Sequence, residues 1–210
     1  MQVITERLKE SKSRFCLMKS YRNITLLGIL SCLAYYSCEA PLVSRPEGYY
    51  RIDLLPSKFN RVEVSCGVTL EKPNHSRLEI VDSDKSGDAC WFNLHFTQHN
   101  ARLHITQVEI HDNLINLMED AQEMVFSHDI KSNGISRIRI IEKERKTNGV
   151  LYHIGGPVAT PIQFFVTDST DHFIRGSLYF NHAPNPDSTA PVVAKMMGDI
   201  ERVMRSISWE

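Results

Sequence analysis

The chain has 210 residues and a formal net charge of −1, with 24 lysines and arginines against 25 aspartates and glutamates. Apolar residues make up 42% and charged residues 23%, which is typical of a globular protein. The basic residues are scattered along the chain, so the composition excludes the concentrated basic surface that nucleic-acid-binding proteins use, and no nucleic-acid partner is expected.

The N-terminal segment has the pattern of a secretory signal peptide. Lys19 and Arg22 precede the apolar run 24–36, whose 13 residues are fewer than the roughly 20 that a bilayer-spanning helix needs. Met18 begins a compact basic start, so residues 1–17 are interpreted as lying upstream of the true start codon. A buried helix is the alternative interpretation of the apolar run.

Two cysteines near the end of this run are candidates for lipid attachment. Cys38 follows Ser37 at the end of the longer apolar stretch, and we predict that it carries the lipid. Cys32 has the more regular local pattern and is the alternative. Each buried CH₂ group of an acyl chain contributes about 0.8 kcal/mol, so several chains would hold the protein to a membrane.

This interpretation divides the chain into three parts. The predicted parts are a signal segment (1–37), a lipidated tether (38–47) and a single α+β domain (48–210).

Strands dominate the first half of the predicted domain. Short runs of alternating apolar residues, separated by polar turns, are typical of antiparallel strands. The strands predicted here are Tyr49–Leu54, Asn60–Cys66, Leu78–Val81, the segment around Trp91–Phe96, and Ala101–Ile110, with a polar turn over 82–88.

Cys66 and Cys90 are the two cysteines of the predicted mature domain. Export would place them in an oxidising compartment. A bridge would close a loop of about 25 residues and contribute roughly 3 kcal/mol. We therefore predict a disulfide between them, with two buried free thiols as the alternative.

Apolar residues spaced three and four apart predict two helices. The first begins at Asp112 or Asn113 and extends to His128. The second lies within Asp187–Trp209, with Asp187 or Ser188 as its cap and Pro191 in its first turn.

The segment between the helices is again rich in strand signals. Asn148-Gly149 predicts the turn of a hairpin, because both residues tolerate positive φ. Two later strands are apolar on both sides, which is typical of central strands covered on both faces. The strands predicted here are Ile135–Lys146, Val150–Ile154, Ile162–Thr167 and Phe173–Phe180. The pattern predicts an α+β fold with a central, mainly antiparallel sheet and two long helices packed on its opposite faces.

Several long motifs resemble the gliding-motility lipoprotein family GldD of Bacteroidetes. These are GYYRIDL (48–54), ACWFNLHF (89–96), QFFVTDSTDHFIRGSLYF (163–180) and DIERVMRSISW (199–209). The closing strand, loop and helix also look like the PsbP/Mog1 type of α/β/α sandwich, a likeness of fold that says little about function.

The resemblance implies a non-catalytic lipoprotein of the cell envelope without a cofactor. It implies a role in gliding motility and in the associated type IX secretion system, whose other envelope proteins would be the partners. The protein would lie on the periplasmic side, attached through its lipid to the inner or the outer membrane.

Loops beside the stiffest strands are the predicted partner surface, since rigid scaffolds often present binding loops. Loops that merely connect strands are the alternative interpretation. These loops span 154–161, 168–171 and 181–188, and the residues predicted to contact a partner are Arg175, Tyr179 and His182.

A rival hypothesis uses the histidine-rich hairpin containing His95, His99, His104 and His111, as in a small-ligand or metal-binding protein or a hydrolase. Its spacing lacks a regular ligand pattern, so no metal site is predicted. Asp168, Ser169 and His172 share one turn, which hydrogen bonding by the Asp168 side chain explains better than catalysis.

Overall fold

The structure is a computed structural model that describes residues 54, 56–64, 66–81 and 89–209. They belong to a compact unit that runs from Tyr49 to Glu210. The predicted signal segment, both candidate lipidation cysteines, the tether, the strand from Tyr49 and the turn over 82–88 lie outside the described residues. No helix in the described part of the chain is long and apolar enough to cross a membrane.

Ten strands and two α-helices make up the described fold. The strands are β1 (Phe59–Val64), β2 (Val68–Pro73), β3 (Arg77–Val81), β4 (Ala89–Phe96), β5 (Ala101–Glu109), β6 (Gly134–Glu142), β7 (Thr147–Gly155), β8 (Ile162–Thr167), β9 (His172–Phe180) and β10 (Ser208–Trp209). The helices are α1 (Leu114–Phe126) and α2 (Pro186–Ser206). Short 3-10 turns occupy Thr97–His99 and Asp129–Lys131.

The strands form two antiparallel sheets. The large sheet has seven strands in the order β3-β4-β5-β9-β8-β7-β6, and the small sheet has the order β1-β2-β10. Every neighbouring pair is antiparallel. The predicted antiparallel α+β class is therefore confirmed.

The two helices cover opposite faces of the large sheet. All six residues of β8 are buried, because successive side chains point to opposite faces and both faces are covered there. Phe164 belongs to the larger apolar core under α2, whereas Phe165 belongs to the smaller core under α1. The predicted placement of the two helices is confirmed.

The predicted hairpin turn at Asn148-Gly149 is wrong. The chain turns at 143–146 instead, with Lys146 at a φ of 53°, and both predicted turn residues lie within β7. Gly149 pairs with Ile140 on one side and Val166 on the other. A Cβ at this position would collide with the carbonyl oxygen of Phe165. Close approach of the neighbouring backbone, rather than a turn, therefore requires the glycine.

Other predicted boundaries also shift. β1 ends at Val64, so Cys66 lies in a turn, and the following strand β2 was not predicted. The first helix ends at Phe126 rather than at His128.

The last helix begins earlier than predicted. Its N-cap is Asn185, whose side-chain oxygen accepts a hydrogen bond from the Ser188 N–H at 3.3 Å. Pro186 takes the first position, where a missing N–H costs nothing, and Pro191 lies further inside the helix. After Ser206 the chain becomes extended, because β10 pairs with β2 of the small sheet.

Cys66 and Cys90 are joined in a disulfide, with their Cα atoms 6.2 Å apart. Cys66 follows β1 of the small sheet, and Cys90 lies on β4 of the large sheet. The bridge therefore ties the two sheets together, and both residues pack against the larger apolar core.

Candidate functional site

One half of the large sheet has a face that no other described element covers. α1 packs against β8 and β9 on this side, and it leaves the same face of β3, β4 and β5 bare. Trp91 is 40% exposed and Tyr179 is 41% exposed. We call this surface the open face, and the strand register assigns to it Arg77, Glu79, Val81, Trp91, Asn93, His95, Arg102, His104, Thr106, Arg175, Ser177 and Tyr179.

Glu79 links neighbouring side chains at the centre of the open face. One of its carboxylate oxygens lies 3.2 Å from His95 Nδ1, and the other lies 3.4 Å from Arg102 Nη2. The Nε of Arg102 is buried and has no hydrogen-bond partner among the described residues.

His104 connects the charged centre to the aromatic end of the open face. Its Nδ1 lies 2.8 Å from Asn93 Oδ1, and its ring meets that of Tyr179 edge-on with centroids 5.5 Å apart. Burial lowers the pKa of His104, the charge of Arg102 lowers it further, and Glu79 opposes both. The ring is therefore neutral at pH 7. Exposed aromatic rings beside arginine are the composition typical of the centre of a protein interface.

The structure separates the three residues predicted to contact a partner. Arg175 and Tyr179 both lie on the open face, four positions apart on β9. Arg175 Nη1 approaches Met124 Sδ at 2.7 Å, where α1 borders that face. His182 lies elsewhere, in the loop after β9, where it lines a cavity.

This cavity has a volume of about 350 Å³ and lies between the loops 154–161 and 181–188 and the first half of α2. Its lining is mainly apolar and includes Val158, Phe180, Val193 and Met197. Two of the three predicted loops therefore meet. The third loop, 168–171, joins β8 to β9. Because these two strands are antiparallel, this loop lies at the opposite end of the strands from the other two loops.

A buried polar cluster beneath α2 was not predicted from the sequence. Asp199 is only 4% exposed, and its carboxylate accepts hydrogen bonds from Lys195 Nζ at 2.7 Å and Ser57 Oγ at 2.8 Å. His75 Nε2 lies 3.5 Å from the same carboxylate. The i,i+4 spacing of Lys195 and Asp199 was a usable signal, but no local pattern indicates Ser57 or His75.

The members of this cluster satisfy one another. The Ser57 hydroxyl donates to Asp199 and accepts from Lys195, and the same carboxylate is paired with the Lys195 ammonium. Burial lowers the pKa of His75 and of the neighbouring His99, with Asp199 opposing in each case, so both rings are neutral at pH 7. The cluster fastens the chain before β1 to α2.

The histidines of the rival hypothesis do not converge. His95 pairs with Glu79 and His104 with Asn93 on the open face. His99 instead packs against His75, with ring centroids 6.2 Å apart. His111 lies near Glu109, with its Nε2 3.9 Å from the carboxylate. The arrangement offers no shared ligand position for these four rings.

Asp168, Asp171 and His172 bring three potential ligand atoms within 4.8 Å of one another. Asp168 is already occupied, because its Oδ1 accepts backbone N–H groups of Thr170, Asp171 and His172 at 2.9 to 3.0 Å. Its Oδ2 lies 2.7 Å from His172 Nδ1. The side chain closes the turn, as the sequence analysis expected.

The charge of Asp168 should stabilise the fold in a pH-dependent way. Burial alone would raise its pKa, but hydrogen bonds from the His172 backbone and ring and from Thr170 and Asp171 lower it from 3.8 to about 2. A lowered folded-state pKa contributes stability above pH 3.8 that is lost as pH falls through about 2. We expect Asp168→Asn, which keeps the Oδ1 acceptor, to lower the free energy of unfolding by roughly 2 kcal/mol at pH 7.

Urea denaturation at a series of pH values measures this effect. The difference in the free energy of unfolding between the wild type and Asp168→Asn should become smaller below pH 3.8. Asp171→Asn, at the exposed neighbouring carboxylate, is the control and should change little. A difference that stays constant with pH would show that charge is not the cause.

The chain matches a family model and can be aligned with a solved structure. A family model described as "Gliding motility lipoprotein GldD" matches residues 39–209. A search of curated proteins found no match. The solution structure of cyanobacterial PsbP (CyanoP) from Synechocystis sp. PCC 6803 aligns with a TM-score of 0.45 and 12% identity, over 81% of this chain and 100% of that chain.

Proposed function

The chain belongs to the gliding motility lipoprotein family GldD, and from this premise we propose that it is an extracytoplasmic lipoprotein needed for gliding motility and the associated type IX secretion. It acts through contacts with other envelope proteins of that apparatus and performs no catalysis itself. The family match over residues 39–209 is the observation that carries the proposal.

Lipid attachment at Cys38 supplies the membrane anchor in this proposal. The family match begins at residue 39, directly after that cysteine. The preceding apolar run is too short to span a bilayer, so acyl chains on the cysteine take over the role of a transmembrane helix. The domain is thereby held on the periplasmic side of the inner or outer membrane.

Replacing the anchor cysteine tests this role. Cys38→Ser should move the protein from the membrane fraction to the soluble fraction and abolish gliding, as followed by immunoblotting and by colony spreading. Cys32→Ser is the matched control and should remain membrane-bound and motile. A double variant that stays membrane-bound and fully active would refute lipid anchoring at either cysteine.

The open face is the proposed contact surface for a partner. It presents Trp91 and Tyr179 to solvent beside the ion-paired side chains around Glu79. Arg175 extends the same surface towards α1. His182, at the cavity, belongs to a second and separate contact region.

Tyr179→Ala tests the open face. An exposed aromatic anchor of this type contributes about 2 kcal/mol to an interface, so we expect roughly 30-fold weaker partner binding and reduced gliding with unchanged stability. Phe126→Ala is the control, because that ring is 50% exposed but lies at the end of α1, outside the open face. The measurements are in-cell cross-linking yield, colony spreading and thermal unfolding. Equal cross-linking by the two variants would exclude the open face.

A further inference from the structure

The last strand of the large sheet leaves one backbone edge without a described partner. β6 pairs with β7 on one side only and is the final strand in the sheet order. It is nine residues long, whereas β3 at the opposite edge has five. Six of the nine β6 residues are exposed. An edge of this length can accept an additional strand through its free N–H and C=O groups.

The side chains of β6 give this edge a definite chemistry. Ile138 is 39% exposed and Ile141 is 51% exposed, so apolar surface lies along the strand. Arg137 and Arg139 are also exposed and form no ion pair with any residue in the described part of the chain. Because residues i and i+2 point to the same side of a strand, the two guanidinium groups share one face.

A second copy of the same chain is a poor occupant for this edge. Antiparallel self-pairing centred on Ile138 would place Arg137 opposite Arg139 of the other copy, twice over. Like charges directly opposite each other destabilise a strand pair. In this register the two arginines disfavour self-association, while they attract a strand of opposite charge.

We propose that β6 is a docking edge for an extended acidic segment of a partner protein. The segment would add as an eighth strand and place acidic side chains, spaced two apart, opposite Arg137 and Arg139. Its apolar side chains on the other face would cover Ile138. This site is distinct from the open face, and its test does not depend on the proposed role in motility.

Synthetic nine-residue peptides test the docking edge on the purified protein. One peptide alternates glutamate and valine, a second replaces glutamate by lysine, and a third groups all its glutamates at one end. Two attractive pairs in place of two repulsive ones should make the alternating glutamate peptide bind about ten-fold more tightly than the lysine peptide. Hydrogen exchange of the β6 amides should slow when it binds.

Charge reversal supplies the decisive variant. Arg137→Glu/Arg139→Glu should invert the preference, so that the lysine peptide binds more tightly. Lys58→Glu/Arg61→Glu makes the same change in net charge at exposed positions by the small sheet, away from β6, and should leave the preference unaltered. Equal binding of the alternating and grouped glutamate peptides, or unchanged exchange at β6, would overturn the proposal.

Discussion

Asp199→Ala should lower the free energy of unfolding by roughly 3 kcal/mol, because it leaves Lys195 facing a buried space without its counter-charge. The Asp199 side chain is 6% exposed and that of Lys195 is 20% exposed, so both charges are largely shielded from water in the fold. The Ser57 hydroxyl loses its acceptor in the same variant. The chain before β1 would then lose its attachment to α2.

Removing both charges separates the effect of an unpaired Lys195 charge from the loss of the ion pair itself. The free energy of unfolding of Lys195→Met/Asp199→Leu should lie within about 1 kcal/mol of the wild-type value, since a buried ion pair contributes little beyond an apolar pair of similar size. Chemical denaturation of Lys195→Met, Asp199→Leu and the double variant completes the cycle. If the double variant were as unstable as Asp199→Ala, the unpaired charge would not be the cause.

Loss of the Cys66–Cys90 bridge should lower the free energy of unfolding by about as much as Asp199→Ala does. The bridge spans 24 positions in sequence, and closing a loop of this length is worth about 3 kcal/mol through the entropy of the unfolded chain. The enclosed segment contains β2 and β3, one strand from each sheet. Cys66→Ala/Cys90→Ala should therefore loosen the small sheet first, which hydrogen exchange can resolve strand by strand.

Reduction provides the control for the disulfide prediction. Dithiothreitol should destabilise the wild type by a similar amount and leave the double variant unchanged. Two reactive thiols in the unreduced wild-type protein would contradict the prediction, as would a double variant of undiminished stability.

Some features followed from the sequence because they depend on local spacing. The central strand β8 was predicted at the residues where the structure places it, since its continuous apolar run indicates burial on both sides. β9 begins one residue earlier than predicted, and its predicted coverage on both faces is wrong, because Arg175 and Tyr179 lie on the open face. The spacing of apolar residues in α1 likewise predicted one buried face, which the structure has at Ala121 and Val125. In contrast, Gly149 was assigned to a turn, because its neighbours in β8 are far away in sequence.

Candidate sites were less accessible to sequence reasoning for the same reason. Arg175 and Tyr179 share a face because β9 alternates, whereas His182 is turned towards the cavity by the loop after it. The open face exists because α1 covers only the part of that side of the sheet around β8 and β9. Neither the length of a helix nor its composition states which strands it will leave bare.

The sequence by itself determined the family, the antiparallel α+β class and the two amphipathic helices. These depend on long motifs and on periodicities read within one segment. Only the tertiary structure decided which polar groups meet, as with Ser57 and Asp199, which are 142 positions apart. Such contacts depend on how whole elements pack, and packing is set by the summed burial of many side chains rather than by any local pattern.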